Sequence, residues 1–191
     1  MLTIAVLTGL RPAMLTRTLE SFAIHHPHVW DTARKVVVHN AGDPSTGQVL
    51  DRYRWDDRRT LTELLPIGQA SQTLAQITPT SGLVLRLEDD WEAQPGDWWN
   101  NALTLLDDAD QVRLRVASEK VLGRCAVCRG DHLHFTHNPT LMRTSTLHDL
   151  TPYTDERDAM RKFHGRRAVQ LEPGVFTHIG DWSLKTNRGG R

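Results

Sequence analysis

Three adjacent carboxylates, Glu88, Asp89 and Asp90, follow a short apolar run in the segment LVLRLEDDW. Mutual repulsion and loss of water both disfavour charged carboxylates at the end of a buried strand. A divalent cation at that place reverses the penalty. Mg²⁺ or Mn²⁺ takes one or two carboxylates, while phosphate oxygens and water fill its remaining positions. The triplet therefore predicts a metal and phosphate site, although acidic triplets are also typical of solvated turns.

The apolar pattern of the first hundred residues places this triplet at one edge of a sheet. Strands are predicted over 2–7, 36–38 and 83–87, with a weaker strand over 61–67, and helices follow Pro12 and span 69–77. Such alternation is typical of a doubly wound, mostly parallel α/β sheet, in which ligands bind beyond the carboxyl ends of the strands. Three polar segments fall at that edge: 8–11, 39–43 and 88–90.

The later part of the chain is predicted to add shorter elements to the same domain. They are a helix over 97–106 with Trp99 facing the core, a strand over 112–116, an antiparallel hairpin within 121–142, a helix over 155–163 capped by Thr154, and the closing segment GVFTHIG. We therefore expect a single α/β domain over residues 1–191, with a small antiparallel hairpin in its second half.

Composition narrows the class of protein. The chain has 191 residues, of which 39% are hydrophobic and 24% charged, and no apolar tract approaches the length of a membrane span. The start, MLTIAVLTGLRP, has no basic leader and predicts a strand rather than a signal sequence. The chain has 2 cysteines, which fits a reducing compartment, so the expected location is the cytoplasm.

Charge is unevenly distributed along the chain. Residues 1–110 hold nine Lys/Arg against fifteen Asp/Glu, and residues 111–191 hold fourteen against eight. A basic second half suits a polyanion or a phosphorylated substrate, or else the two halves complement each other across the fold. Basic residues cluster in RDAMRKFHGRR and KTNRGGR, and such clusters can hold nucleic-acid phosphates.

Cys125 and Cys128, followed by His132, His134 and His137, give a competing signal. Two thiolates and two imidazoles can close a tetrahedral zinc site. Zinc sites usually separate their two ligand pairs by a dozen or more residues, and the gap here is short, so strand residues and free thiols are the alternative. A zinc-stabilised nucleic-acid-binding module without catalysis is therefore one alternative function.

Five segments occur in a familiar order: TIAVLTGLRPAMLTRTLESF, GQASQTLAQ, LVLRLEDDW, FTHNPTLMRTSTL and GVFTHIG. Together they resemble the nucleotide-sugar-dependent glycosyltransferases of GT-A fold, family-2-like, over most of residues 2–92 and 132–182. The resemblance implies a hexosyl- or pentosyltransferase with Mn²⁺ or Mg²⁺ as cofactor and a nucleotide sugar, a UDP-sugar by preference, as donor. It also implies a nucleotide-sugar-binding half over 1–92 and an acceptor-binding half over 93–191.

The acidic triplet matches the D-x-D motif of that family, which holds the metal against the donor's diphosphate. By position, Asp90 is implied to bind the metal, and Glu88 or Asp89 to contact the donor's ribose or sugar. His178 in FTHIG matches a histidine that often completes the metal shell. Trp91, directly after the carboxylates, is a candidate for stacking on a sugar or a base.

The resemblance also assigns nucleotide-binding positions. Thr8 and Arg11 match the first-strand loop that cradles the base and phosphates. Many relatives end the second strand in an acidic residue that reads the base, whereas this chain has His39 and Asn40, with Asp43 three residues further on. Asn40 and Asp43 are therefore donor-binding candidates, and the base preference stays open.

An inverting sugar transfer needs a general base to deprotonate the acceptor hydroxyl. Family members often place it at the start of a helix after the acceptor-binding region, and YTDERDAM supplies carboxylates there. Glu156 is the first candidate and Asp155 the second. Acidic residues also favour a helix start because of its dipole, and a retaining enzyme requires no such base.

The acceptor is a hydroxyl compound of a class that the residues do not fix. The basic clusters suggest one specific acceptor, a hydroxymethylated base in DNA, as in a compact phage-type enzyme acting in the host cytoplasm. A small-molecule, protein or cell-surface saccharide acceptor is the alternative. The nearest enzymatic rival is a nucleotidyltransferase of similar fold, which would release pyrophosphate.

Overall fold

The computed structural model describes residues 1–116, 137 and 139–180. Seven strands form the main sheet: β1 Leu2–Thr8, β2 Arg34–His39, β3 Asp57–Thr60, β4 Leu83–Glu88, β6 Gln111–Arg113, β7 Thr140–Arg143 and β8 Ala168–Gln170. Their order across the sheet is β3-β2-β1-β4-β7-β6-β8. β1 pairs in parallel with both β2 and β4, whereas β7 runs antiparallel between β4 and β6.

Seven helices cover the two faces of this sheet. They are α1 Pro12–His25, α2 Pro27–Thr32, α3 Pro44–Leu50, α4 Ile67–Ile77, α5 Trp99–Asp107, α6 Thr144–Leu150 and α7 Glu156–Lys162. One apolar cluster joins α1, α2, α3 and α5 to the first face, and a second joins α4, α6 and α7 to the other. Within the described ranges, no helix has the length and apolar character needed to cross a membrane.

A second sheet brings the end of the described chain back to the acidic triplet. β5, Trp91–Ala93, pairs antiparallel with β9, Phe176–His178, and aligns Trp91 with His178. α1 holds β5 from the other side, because the Trp91 amide donates to Thr18 and the Ala93 amide donates to Ser21. The two strands therefore fix GVFTHIG beside LVLRLEDDW.

The fold class expected from the sequence is confirmed: a mixed α/β domain with a mostly parallel sheet and a small antiparallel sheet. The weak third strand was placed wrongly over 61–67, since the structure has β3 at Asp57–Thr60. β3 is an edge strand whose side chains are half-buried or exposed, so it carries no apolar pattern. The range 61–67 instead leads into α4, with Pro66 at its N-cap position.

The second half departs from expectation at one helix cap. The predicted cap Thr154 is wrong: Asp155 is the N-cap of α7, and its side chain accepts a hydrogen bond from the Asp158 amide. Trp99 is partly buried and packs against the apolar cluster, as predicted, while Trp98 at the N-cap position of α5 is 3% exposed and packs against His26. The small antiparallel sheet consists of β5 and β9, and most of the predicted hairpin within 121–142 lies outside the described residues.

Gly68 lets α4 approach the chain just before α7. An ideal Cβ on Gly68 would lie 2.0 Å from the Tyr153 carbonyl oxygen, whereas one on Gly47 in α3 meets nothing nearer than 3.6 Å. We expect Gly68→Ala to lower the free energy of unfolding by about 2 kcal/mol or more, because backbone must move to relieve the overlap.

The matched control is Gly47→Ala, which adds the same methyl group to another helix without a close contact. It should leave stability unchanged or raise it by up to about 1 kcal/mol, since alanine favours helix. Urea unfolding of both variants measures the difference, and equal midpoints would contradict the proposed close approach.

Candidate functional site

Asp89 anchors the loop between β1 and α1. Its Oδ2 accepts hydrogen bonds from the Thr8 hydroxyl at 2.9 Å and from the Gly9 amide at 2.8 Å, and its Oδ1 forms an ion pair with Arg11. Burial raises the pKa of Asp89, which is 1% exposed, while Arg11 and the hydrogen bonds from Gly9 and Thr8 oppose that rise. The structure thus uses Asp89 to hold the predicted nucleotide-binding loop, and its direct contact with a donor stays a prediction.

Asp90 lies between Arg11 and His178. Arg11 donates to Asp90 Oδ2 at 2.7 Å, and His178 Nε2 is 3.3 Å from the same oxygen. The other oxygen, Oδ1, is buried and has no hydrogen-bond partner within the part of the chain that the structure describes. A buried carboxylate oxygen without a partner is costly, so a ligand with positive charge fits here.

The room beside Asp90 comes from Gly180. A Cβ at position 180 would lie 2.9 Å from Asp90 Oδ2 and 2.9 Å from His178 Nε2, so glycine leaves that space open. A carboxylate oxygen and an imidazole nitrogen suit Mn²⁺ or Mg²⁺. Among the described residues no cluster of three or more His, Cys, Asp or Glu could hold a metal ion. Asp90 and His178 therefore fit a cation whose remaining ligands are phosphate oxygens and water.

Glu88 leaves the strand on the opposite face from Asp89 and keeps a 20% exposed side chain. Arg86, two residues earlier on the same face, is fully buried and lies 3.9 Å from Glu88. Arg86 also donates to Ser71 at 2.9 Å and to the Tyr153 hydroxyl at 3.1 Å. Glu88 is thus the member of the triplet that solvent reaches, and its donor contact stays a prediction.

The buried Arg86 was missed by sequence reasoning. It contacts His137, whose ring stacks on Tyr153 with centroids 5.0 Å apart. Burial lowers the pKa of His137 well below its ordinary value, and the charge of Arg86 adds to the effect. A charged residue at an interior position of the run LVLRLE was the available signal. This network joins the strand of the triplet to the segment before α7.

Trp91 is 3% exposed and lies in the core. Its ring packs edge-on against His178, with centroids 4.9 Å apart. Little of the indole remains for a sugar to stack on, so the contact that the structure gives Trp91 is support for the His178 ring. A donor-binding role for Trp91 stays a prediction.

Asn40 and Asp43 both have structural partners at the end of β2. The Asn40 side chain exchanges two hydrogen bonds with the Leu65 backbone, at 2.8 and 2.9 Å. Asp43 is the N-cap of α3, accepting from the Thr46 amide at 2.9 Å, and lies 3.1 Å from His39 Nε2. These contacts fix the end of β2 beside Thr8, whose carbonyl accepts from the Asn40 amide at 2.8 Å, and direct contact of either side chain with a donor stays a prediction.

The two candidate bases differ in what they already bind. Asp155 caps α7, whereas Glu156 is exposed at the first position of that helix. Burial lowers the pKa of Arg113 and of Arg115, and the negative charge of Glu156 opposes both shifts. Of the two candidates, Glu156 is the one that the cap does not use, and its role as a base stays a prediction.

Several sequence signals fall outside the described residues. Cys125, Cys128, His132 and His134 are among them, as is the basic segment KTNRGGR. In the other basic segment, Arg166 pairs with Asp149 at 2.8 Å, Arg167 donates to the Asp108 carbonyl, and Lys162 donates to the Pro152 carbonyl. Part of that positive charge is thus used inside the fold.

The Asp43 cap gives a pH dependence to stability. Burial raises the pKa of Asp43, but hydrogen bonds from Thr46, His39 and Ser45 outweigh it and lower the pKa to about 2. Because the folded value is below the unfolded 3.8, the stabilisation is present above pH 4 and is lost as pH falls towards 2.

We expect Asp43→Asn to keep the cap but remove this titration, since asparagine caps helices as well as aspartate does. Near neutral pH the variant should be less stable by about 1–2 kcal/mol, allowing for solvent screening, and the difference should shrink to about 0.4 kcal/mol or less at pH 2. Urea unfolding at several pH values measures it, with the exposed Asp97→Asn as control. A constant difference at every pH would contradict the linkage.

Neither protein-family models nor curated protein sequences give a match to this chain. Solved structures do. S. aureus TarS 1–349 in complex with UDP-GlcNAc matches with a TM-score of 0.70 at 14% identity, covering 94% of this chain and 59% of that one. A mannosyltransferase from Pyrobaculum calidifontis in complex with GDP-Man and Mn²⁺ matches with a TM-score of 0.67 at 17% identity, covering 100% and 65%.

A third structure, 4-diphosphocytidyl-2C-methyl-D-erythritol synthase, matches with a TM-score of 0.61 at 16% identity and covers 97% of this chain and 93% of that one. This chain therefore spans about three fifths of the TarS fragment and nearly all of the synthase. At these identities the shared property is the fold. The chain has the GT-A-like fold that its sequence motifs predicted.

Proposed function

We propose that this protein transfers a sugar from a nucleotide-sugar donor to a hydroxyl acceptor, with Mn²⁺ or Mg²⁺ as cofactor. The observation that carries the proposal is Asp90, whose buried Oδ1 has no hydrogen-bond partner in the described ranges and whose Oδ2 faces His178. These groups lie at the carboxyl edge of β4, where sheets of this kind bind their ligands. The proposal includes a cytoplasmic location, which the cysteine content supports.

The donor's diphosphate would lie beside Asp90, His178 and the loop from Thr8 to Arg11. Asp90 and His178 would hold the metal, which when bound offsets the charge of the leaving diphosphate. Arg11 can reach the same phosphates, since its guanidinium already lies on the carboxylates. Glu88 reaches solvent and would contact the ribose or the sugar. A UDP-sugar is the proposed donor, and the UDP-GlcNAc complex of TarS supports that choice.

Asp90→Ala tests the metal role. In a panel of UDP- and GDP-sugars with Mn²⁺, we expect donor hydrolysis by the variant to fall about a hundredfold or more, because charge stabilisation worth several kcal/mol is lost. Released nucleotide is measured by chromatography.

The matched control is Asp97→Ala, which removes an exposed carboxylate from the loop before α5. It should hydrolyse the donor at the rate of the unchanged protein. An unchanged rate in Asp90→Ala, or an equal loss in both variants, would remove the metal role from Asp90.

Glu156 is the proposed general base for the acceptor hydroxyl. Its exposure at the first turn of α7 leaves the carboxylate available, whereas Asp155 is used as the cap. We expect Glu156→Gln to lower kcat for sugar transfer by about 10²–10⁴, the usual contribution of a positioned base, with the donor KM unchanged. Steady-state kinetics measures both constants.

Asp155→Asn is the control for this substitution, because asparagine retains the cap. It should keep kcat within about threefold of the unchanged protein. Full activity in Glu156→Gln would remove the base role and favour a retaining mechanism, which needs no such base.

Nucleotidyl transfer is a second candidate function, and one comparison favours it. The 4-diphosphocytidyl-2C-methyl-D-erythritol synthase, whose name includes a diphosphocytidyl group, is matched by this chain over 93% of its own length. A nucleotidyltransferase would release pyrophosphate, whereas sugar transfer releases a nucleoside mono- or diphosphate. Product analysis in the donor assay separates the two.

A hydroxymethylated base in DNA is the acceptor that the basic second half suggests. Internal pairing of Arg166, Arg167 and Lys162 reduces the charge that the helix α7 region presents to a polyanion. To test this acceptor, hydroxymethylcytosine DNA is incubated with the protein and the donor panel, and mass spectrometry measures the mass of the DNA. A gain equal to one sugar supports the DNA acceptor, and no gain with any donor supports a smaller one.

A further inference from the structure

Arg86 is a fully buried charge in the strand that leads into the acidic triplet, two residues before Glu88. It pairs with Ala5 of β1, a member of the apolar cluster that joins α4, α6 and α7 to the sheet. Directly paired residues of neighbouring strands present their side chains to the same face, so Arg86 points towards these helices. Removing a charge from water is costly unless hydrogen bonds compensate it. The partners of Arg86 therefore show what its burial holds in place.

The guanidinium of Arg86 divides its partners between two sides. Nη2 donates to the Ser71 hydroxyl at 2.9 Å and lies 3.9 Å from Glu88 Oε1. Nη1 donates to the Tyr153 hydroxyl at 3.1 Å and also contacts His137 Nδ1. Because a guanidinium is planar and rigid, the place of one amino group fixes the place of the other. One group thus sets the position of Glu88 relative to Tyr153.

The His137 ring completes the contacts of Tyr153. The two rings stack with centroids 5.0 Å apart, and the Tyr153 hydroxyl lies 3.2 Å from His137 Nδ1. Arginine has no acceptor, so the contact with Arg86 requires an unprotonated Nδ1 and a neutral imidazole. Burial lowers the pKa of His137 well below its ordinary value, and the charge of Arg86 adds to the effect. Tyr153 therefore has a fixed orientation at neutral pH, with its hydroxyl on Arg86.

The segment of Tyr153 lies at the carboxyl edge of the sheet. Asn40, at the end of β2, is hydrogen-bonded to Leu65, two residues before α4 begins, so the first turn of α4 lies at that edge. Gly68 is in this turn, and an ideal Cβ on it would lie 2.0 Å from the Tyr153 carbonyl oxygen. Glu156 follows three residues later, at the first position of α7. The acidic triplet and the start of α7 therefore share one edge of the sheet.

We propose that Arg86 is a positioning residue, which holds Glu88 towards the donor and, through Tyr153, the start of α7 towards the acceptor. The proposal rests on the proposed sugar transfer, because it acts through two carboxylates assigned there. Glu88 would accept hydrogen bonds from neighbouring hydroxyl groups of the donor's ribose or sugar. Glu156 would meet the acceptor hydroxyl at a distance from the donor that the Arg86 contacts set. Such positioning matters because a displacement of about 1 Å can lower a rate by about a hundredfold.

The acceptor side is tested by Tyr153→Phe, which removes one hydroxyl and keeps the ring that stacks on His137. We expect kcat for sugar transfer to fall about tenfold, since the start of α7 loses its anchor, and the donor dissociation constant to stay unchanged. The matched control is Thr78→Val, which removes a buried hydroxyl from the other end of α4. Both constants should be unchanged in the control. An equal fall in kcat in the two variants would overturn the proposal, as would full activity in Tyr153→Phe.

The donor side is tested by a double-mutant cycle of Arg86→Met and Glu88→Gln. We expect each single variant to raise the dissociation constant of the nucleotide sugar about tenfold, and the double variant to raise it no further, because Arg86 acts through Glu88. Isothermal calorimetry with Mn²⁺ measures binding, and circular dichroism shows whether each variant is folded. Additive losses, or no loss in one of the single variants, would overturn the assignment of Arg86 to Glu88.

Amide hydrogen exchange tests the anchor in the free protein, without donor or metal. The amides of α7 should exchange at least about threefold faster in Tyr153→Phe and Arg86→Met, and at an unchanged rate in Thr78→Val and Glu88→Gln. Mass spectrometry of the peptide that contains α7 measures the rates. Unchanged exchange in Tyr153→Phe would end this proposal alone, even where sugar transfer is observed. Failure of the unchanged protein to bind any nucleotide sugar would instead remove the sugar-transfer proposal and the donor role of Arg86, while exchange still decides the anchoring role.

Discussion

Asp89 brings a negative charge into the interior where β1 and β4 end side by side, and one loop neutralises it. Burial alone would leave this carboxylate protonated or expel it from the fold. The Thr8 hydroxyl, the Gly9 amide and the Arg11 guanidinium together supply the compensation. The loop can take few other shapes while it satisfies that charge, so the geometry at the carboxyl ends of β1 and β4 depends on this contact.

The three carboxylates of the triplet consequently have separate tasks. Asp89 faces the loop, Asp90 faces His178, and Glu88 lies on the other side of the strand beside Arg86. Spreading the charges over different directions reduces their mutual repulsion. It also explains why a deeply buried position and a solvent-reaching one can be neighbours in the sequence.

Sequence patterns predicted the elements that carry strong apolar periodicity. β1, β2 and β4 were found because they are buried on both faces, and α1 and α4 because each has one apolar stripe. Sequence patterns did not locate β3, β5 and β8. Short or edge strands are stabilised by pairing with distant segments of the chain rather than by an apolar pattern of their own. The triplet and His178 were recognised as motifs, and the structure places His178 Nε2 3.3 Å from Asp90 Oδ2.

Other parts of the site had no local signal. Arg86 and Arg113 both pair with Thr140 of β7, and nothing in the sequence indicates this alignment. The register between strands depends on chain segments that are more than twenty residues apart. The capping roles of Asp43 and Asp155 were equally hidden, since a carboxylate before a helix can either cap it or face a ligand. Only the three-dimensional arrangement separates these uses.

The Arg11 guanidinium, held between Asp89 and Asp90, has a consequence for the order in which charges can enter the site. It acts as a built-in counter-ion shared by the two carboxylates, so an external cation that approaches Asp90 meets a carboxylate whose charge is already partly offset by its own chain. If a cation and an anion enter together, as the proposed function requires, the anion can take over the arginine and make this exchange favourable. Cation and anion entry are then thermodynamically linked, each raising the affinity for the other.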